Sequence, residues 1–410
     1  MTQATDIDWP ALLPPGGMVV WGQAAGEPQT LTESLMAARH AVGGFRAGIG
    51  LVLSGAAAPA HADCVRFTSY TGGAMNRHLA QSAALDILPI TYGQFADALA
   101  PVHLLLLHLP PAGPDGRHSL GLVAEYIADL IPRVRIIVAE INDQMPMTLG
   151  SRSIGADEIA LSIATSRPLQ AMPTAPDNAT ATAIARHVAG LVEDGATLQL
   201  GIGQLPEAIL AALSGHRDLG VHSGTVGDGV ARLARAGVIT NARKSIDAGV
   251  TVTGAIMGGP DSWDWAAGNP ALRLEPTSYT HAPATLAALD RFTAINAAIE
   301  VDLTGQINAE VAGGAYVGAV GAAGDFLRAA ARSRGGLPII ALPASVPKTG
   351  ATRIVARLSG PVSTARADAG IIVTEHGVAD LRGCTLAERR RRMLDIAPPE
   401  HRAALDAAPL

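Results

Sequence analysis

The chain has 410 residues, 48% apolar and 16% charged, with 45 glycines and 27 prolines. That composition excludes global disorder and predicts two cores of roughly 200 residues each, punctuated by many turns. A formal charge of −6 and an aromatic content of 3% provide neither a phosphate-neutralising surface nor stacking platforms, which argues against nucleic acid as a partner.

The stretch from Met1 to Asp8 is acidic and lacks the basic-then-apolar order of a signal peptide, and no apolar run reaches about 18 residues, so a cytoplasmic protein with no membrane partner is expected. Cys64 and Cys384 sit in no CxxC or Cys/His pattern, and no metal is expected. Short apolar runs at 18–21, 50–53, 103–109 and 135–139 read as strands, and 32–42 and 123–130 as helices. Runs with so little polar alternation suit a parallel sheet covered on both faces. A polar break at 166–178, carrying Pro168, Pro173 and Pro176, then separates two expected domains, 1–172 and 173–410. After it, Asn178 is placed to cap a helix to about residue 193. A strand at 196–200 follows, entering Gly201-Ile202-Gly203-Gln204-Leu205-Pro206, with Pro206 in the first turn of a helix. The rhythm repeats at 219–223, which leads into Gly227-Asp228-Gly229 and a helix over 230–236.

Glycine turns at the carboxyl ends of parallel strands expose backbone N–H groups to anions. Two stand out: Gly201 to Gln204, and the small-residue stretch 317–326. Either could simply pack strand against helix; together they suit a site that grips an acyl oxygen or a pyrophosphate by main-chain amides.

Motifs in a fixed order run along nearly the whole chain. They include Gly22-Gln23-Ala24-Ala25-Gly26-Glu27-Pro28, Ser119-Leu120-Gly121, Ile141-Asn142-Asp143-Gln144-Met145-Pro146, Leu200-Gly201-Ile202-Gly203, Val301-Asp302-Leu303, Gly324-Asp325-Phe326 and Val373-Thr374-Glu375-His376-Gly377. In that order they resemble the acetyl-CoA hydrolase/transferase family, a class I CoA-transferase type that includes 4-hydroxybutyrate CoA-transferases. The resemblance implies two similar α/β domains, each on a mainly parallel sheet, with the site in the cleft between them. It also implies acyl-CoA as the small-molecule partner, coenzyme A as part of the substrate, and a homo-oligomer, in the simplest case a homodimer. The family's transferases use a glutamate that attacks the thioester and passes through a glutamyl anhydride and an enzyme–CoA thioester.

In the resembling stretch that glutamate falls two residues after a histidine; here the stretch reads His222-Ser223-Gly224-Thr225, so the nucleophile position is Gly224. Residues 213–244 contain no glutamate. Loss of the side chain is expected to leave room beside the thioester carbonyl. The oxyanion and acyl-CoA contacts carried over are Ile202, Gly203, Gln204, Ser223, Gly224, Gly321, Ala322, Ala323, Gly324 and Asp325. Glu310, His222 and Glu27 are the candidate bases, each with a duller alternative. Glu310 would be a structural hydrogen-bond acceptor, His222 a buried imidazole and Glu27 a turn anchor. Asp325 is also placed to cap a helix near Phe326, and Arg389 to Arg392 form a solvated face or a CoA-phosphate contact. The function expected is acyl-CoA hydrolysis or direct acyl transfer through backbone donors. The alternatives are CoA transfer through a substitute carboxylate and a non-catalytic CoA-binding or assembly subunit.

Overall fold

The computed structural model describes residues 3–174, 176 and 178–409; Met1, Thr2 and Leu410, and Ala175 and Asp177 of the expected interdomain break, lie outside the described residues. Two compact units emerge, Met1–Met172 with Val252–Thr280, and Pro173–Thr251 with His281–Leu410. The segment Val252–Thr280 groups with the first of these units. Main-chain bonds tie it there: the Ala124 N–H donates to Gly254 O (2.9 Å), Ile256 N–H to Leu122 O (2.9 Å) and Leu274 N–H to Leu149 O (2.9 Å).

The first unit is built on β1 (Met18–Trp21), β2 (Phe45–Gly48), β3 (Val65–Ser69), β4 (Leu85–Ile87), β5 (Leu104–Leu109), β6 (Ile136–Asn142) and β7 (Leu161–Thr165). Their order is β4-β3-β2-β1-β5-β6-β7, with every pairing parallel. The unbroken apolar run of β5 is buried along its whole length, as a strand covered on both faces must be. Helix α1 (Gln29–Ala37) buries Leu31 and Leu35 in a core with Trp9, Trp21 and Phe67, each such side chain contributing about 1.5–3 kcal/mol. A short helix, α2 (Glu125–Leu130), follows β5. Strand order reverses between β1 and β5, and beyond the carboxyl end of β1 lies the Gly22–Glu27 segment, where open α/β sheets place ligands.

The run at 50–53 is not a strand, a correction. Its polar backbone is satisfied by side chains and a neighbouring loop: Leu51 N–H donates to Gln23 Oε1 (3.0 Å), Val52 N–H to Asn76 Oδ1 (3.2 Å) and Ala24 N–H to Leu51 O (2.8 Å).

In the second unit Asn178 caps α3 (Ala179–Ala189), its Oδ1 accepting the Ala181 N–H at 2.7 Å. Strands β8 (Thr197–Leu200), β9 (Gly220–Val226), β10 (Phe292–Asn296), β11 (Leu337–Ala341), β12 (Ile371–Thr374) and β13 (Gly377–Asp380) are six strands of an eight-stranded sheet and lie in the order β9-β8-β10-β11-β12-β13. Each pairing is parallel except the last. Helices α4 (Gln204–Ala212), α5 (Ala323–Arg332) and α6 (Leu386–Asp395) complete what the site needs. Phe292, Phe326, Leu327, Ile340, Ile372 and Met393 share one core. Both units are mainly parallel α/β layers, the expected fold class. Among the described residues no helix is long and apolar enough to cross a membrane.

Candidate functional site

Strand order in the second unit reverses at β8 and β10, and β8 runs straight into the first glycine turn. Gly203 has φ +110°, and a Cβ built at Gly201 or Gly203 would meet nothing within 4 Å. A ligand can therefore approach this main chain closely. Ile202 is half-buried, and the Gln204 side-chain amide donates to Pro176 O, tying the start of α4 to the preceding linker.

His222, Ser223 and Gly224 lie inside β9, which runs on to Val226, three residues beyond the end of the strand read from sequence. All three are buried. Ser223 Oγ donates to Leu200 O at 3.0 Å, fastening β9 to the residue before the first glycine turn. Gly224 is extended, with no left-handed φ to strain a larger residue. The room expected beside it is taken, however. A Cβ at Gly224 would lie 2.9 Å from His281 Cε1, 3.1 Å from His281 Nε2 and 3.9 Å from Phe326 Cε2. The His281 ring packs on Phe326 with centroids 4.6 Å apart. Burial, with His222 nearby, pushes the His281 imidazole down to about 3, so it is neutral at physiological pH.

The second glycine turn meets the same place through Phe326. Gly321 has φ +59°, Ala322 is the N-cap residue and α5 begins at Ala323. Asp325 is thus inside the first turn rather than capping it, a correction; its charge there complements the positive helix end. A Cβ at Gly324 would also meet open space. Upstream, Val317 N–H and Gly318 N–H both donate to Glu310 O (2.8 and 3.0 Å). The buried Glu310 carboxylate accepts from Tyr316 Oη (3.0 Å) and Ser363 Oγ (2.7 Å). Both oxygens are engaged, which is the geometry of an anchor for the glycine turn.

Glu27, in the first unit, is 1% exposed. Its Oε1 accepts from Thr32 Oγ1 (3.0 Å) and Ser54 Oγ (2.6 Å), while burial pushes the carboxyl up to about 7. That acidity suits a general base at neutral pH. In the arginine run Arg391 is exposed, whereas the other three turn back onto main-chain carbonyls. Arg389 donates to Thr304 O and Arg366 O (2.9 and 3.0 Å), Arg390 to Leu405 O and Ala408 O (3.0 and 2.8 Å), and Arg392 to Asp380 O. Nor is Cys64 remote from histidine, since its Sγ lies 3.2 Å from His40 Nδ1, with Asp63 adjoining.

Sequence reasoning missed two residues. His281 stands in Tyr279-Thr280-His281-Ala282-Pro283, where nothing in spacing marks it; only the fold brings it to Gly224. Glu125 is 1% exposed with φ +35°, and the sole sequence signal was a glutamate opening an apolar helix.

Residues 258–408 match the family described as acetyl-CoA hydrolase/transferase C-terminal domain. The 4-hydroxybutyrate coenzyme A transferase of Clostridium kluyveri is 32% identical over 94% of this chain and 92% of its own. This chain belongs to the acetyl-CoA hydrolase/transferase family. The succinyl-CoA:acetate/propanoyl-CoA:succinate CoA transferase of Fasciola hepatica is 36% identical over 84% of this chain and 73% of its own. Among solved structures, RipA from Yersinia pestis superposes with a TM-score of 0.91 at 30% identity, covering 96% of this chain and 93% of that one. Members of the acetyl-CoA hydrolase/transferase family act on CoA thioesters, by transfer or by hydrolysis.

Proposed function

We propose that this protein binds acyl-CoA thioesters and cleaves or transfers the acyl group without a glutamyl–CoA intermediate. The observation that carries this reading is Gly224, buried in β9 with a neutral imidazole filling the direction a side chain would take. No carboxylate can attack from there. The open glycine main chain at Gly201, Gly203 and Gly324 supports retention of acyl-CoA contacts and of amide donors to a developing oxyanion. Water or a small nucleophile then attacks the thioester directly.

The test is incubation with acyl-CoA, followed by borohydride reduction and by thiol release. Steady thiol release without a burst, no CoA trapped on the protein and no isotope exchange between free CoA and acyl-CoA are expected. Exchange abolished by changing one carboxylate would overturn the reading in favour of transfer through a substitute nucleophile.

A further inference from the structure

We propose that His281 is the residue that closes the carboxylate route in this protein: its imidazole occupies the volume a side chain at position 224 would need. This rests on the reading that position 224 is where the family's glutamate would stand. A Cβ there comes within 2.9 Å of His281 Cε1, closer than packed carbon atoms sit. The ring has little freedom to give way, since it is buried and packed against Phe326, with centroids 4.6 Å apart and the planes tilted by 45°. Backbone strain is not the obstacle, because Gly224 is an ordinary extended strand residue. Restoring the carboxylate therefore requires removing the imidazole as well.

With both changes made, the chemistry balances within the site. The introduced carboxylate oxygen attacks the thioester carbonyl carbon, the C–S bond breaks, and CoA leaves as its thiolate. That thiolate attacks the side-chain carbonyl of the mixed anhydride, releasing the acid as a carboxylate and leaving CoA as a thioester on the protein.

The experiment compares Gly224→Glu, His281→Ala and the double variant in the full chain, reading isotope exchange between CoA and acyl-CoA and mass-spectrometric detection of a CoA adduct. Exchange at least about 100-fold faster in the double variant than in Gly224→Glu supports the proposal. It is overturned by exchange in Gly224→Glu within about threefold of the double variant. It is equally overturned by a double variant that acyl-CoA protects from unfolding yet forms no adduct. A stability cycle tests the steric claim without turnover. Gly224→Ala is expected to lower Tm by about 3 °C in the His281 protein and not in the His281→Ala background. An equal loss in both backgrounds overturns the proposal. Failure of wild-type protein to gain stability from acyl-CoA would instead sink the functional reading, leaving the cycle to decide His281.

Discussion

Two buried carboxyls in the first unit contribute to its response to pH. Glu125 Oε2 accepts from Gln23 Nε2 (2.6 Å) and Tyr92 Oη (3.0 Å), and burial pushes both Glu125 and Glu27 up to about 7 from an ordinary 4.5. A raised carboxyl holds its proton in the folded state after the unfolded chain has released it. Stability from these groups is therefore complete below 4.5, and is lost as pH rises to 7. Replacing Glu125 by Gln should raise stability relative to wild type by about 1–3 kcal/mol more at pH 8 than at pH 4. Urea unfolding at the two pH values checks this, and an equal effect at both would contradict it. The Glu310 side chain is held by two hydroxyls. Glu310→Ala removes the acceptor of those half-buried donors and should cost about 1 kcal/mol; thermal unfolding of Tyr316→Phe and Ser363→Ala should show smaller losses.

Among the elements, the stretch before α5 depends on one close approach. A Cβ at Gly318 would sit 1.9 Å from Ala309 O, so even alanine must push the 309–310 backbone away from 317–319. Gly318→Ala should destabilise by about 2 kcal/mol or more and speed hydrogen exchange at Val317 and Ala319; unchanged exchange there would contradict this dependence on the close approach. Helix α6 shows how context decides what a charged run does. Its Thr385–Glu388 capping box was open to reading from sequence, whereas the carbonyls that Arg389 and Arg390 reach belong to distant segments. Arg390→Ala should free the last helix, Arg402–Ala407, to exchange amide protons faster while leaving α6 protected.

At the scale of the whole molecule, ligand binding to the native state raises stability by RT ln(1 + [L]/Kd), about 2.7 kcal/mol at a hundredfold excess over Kd. Acyl-CoA should therefore raise the unfolding midpoint, and free CoA should raise it less if the acyl group adds contacts. No shift with any acyl-CoA would contradict the proposed function.

Strand and helix alternation, the parallel character of both sheets and the Asn178 cap follow from local pattern, because an unbroken apolar run buried on both faces and a capping side chain are properties of neighbouring residues. The family was legible for the same reason, its motifs lying in chain order. Tertiary structure alone returned Val252–Thr280 to the first unit, turned 50–53 into a loop satisfied by Gln23 and Asn76, and aimed the arginines of α6 at distant carbonyls. It also placed His281 against Gly224. Those outcomes depend on partners many residues apart whose meeting no local periodicity encodes, and burial of the meeting place then decides which protons and which side chains it can hold.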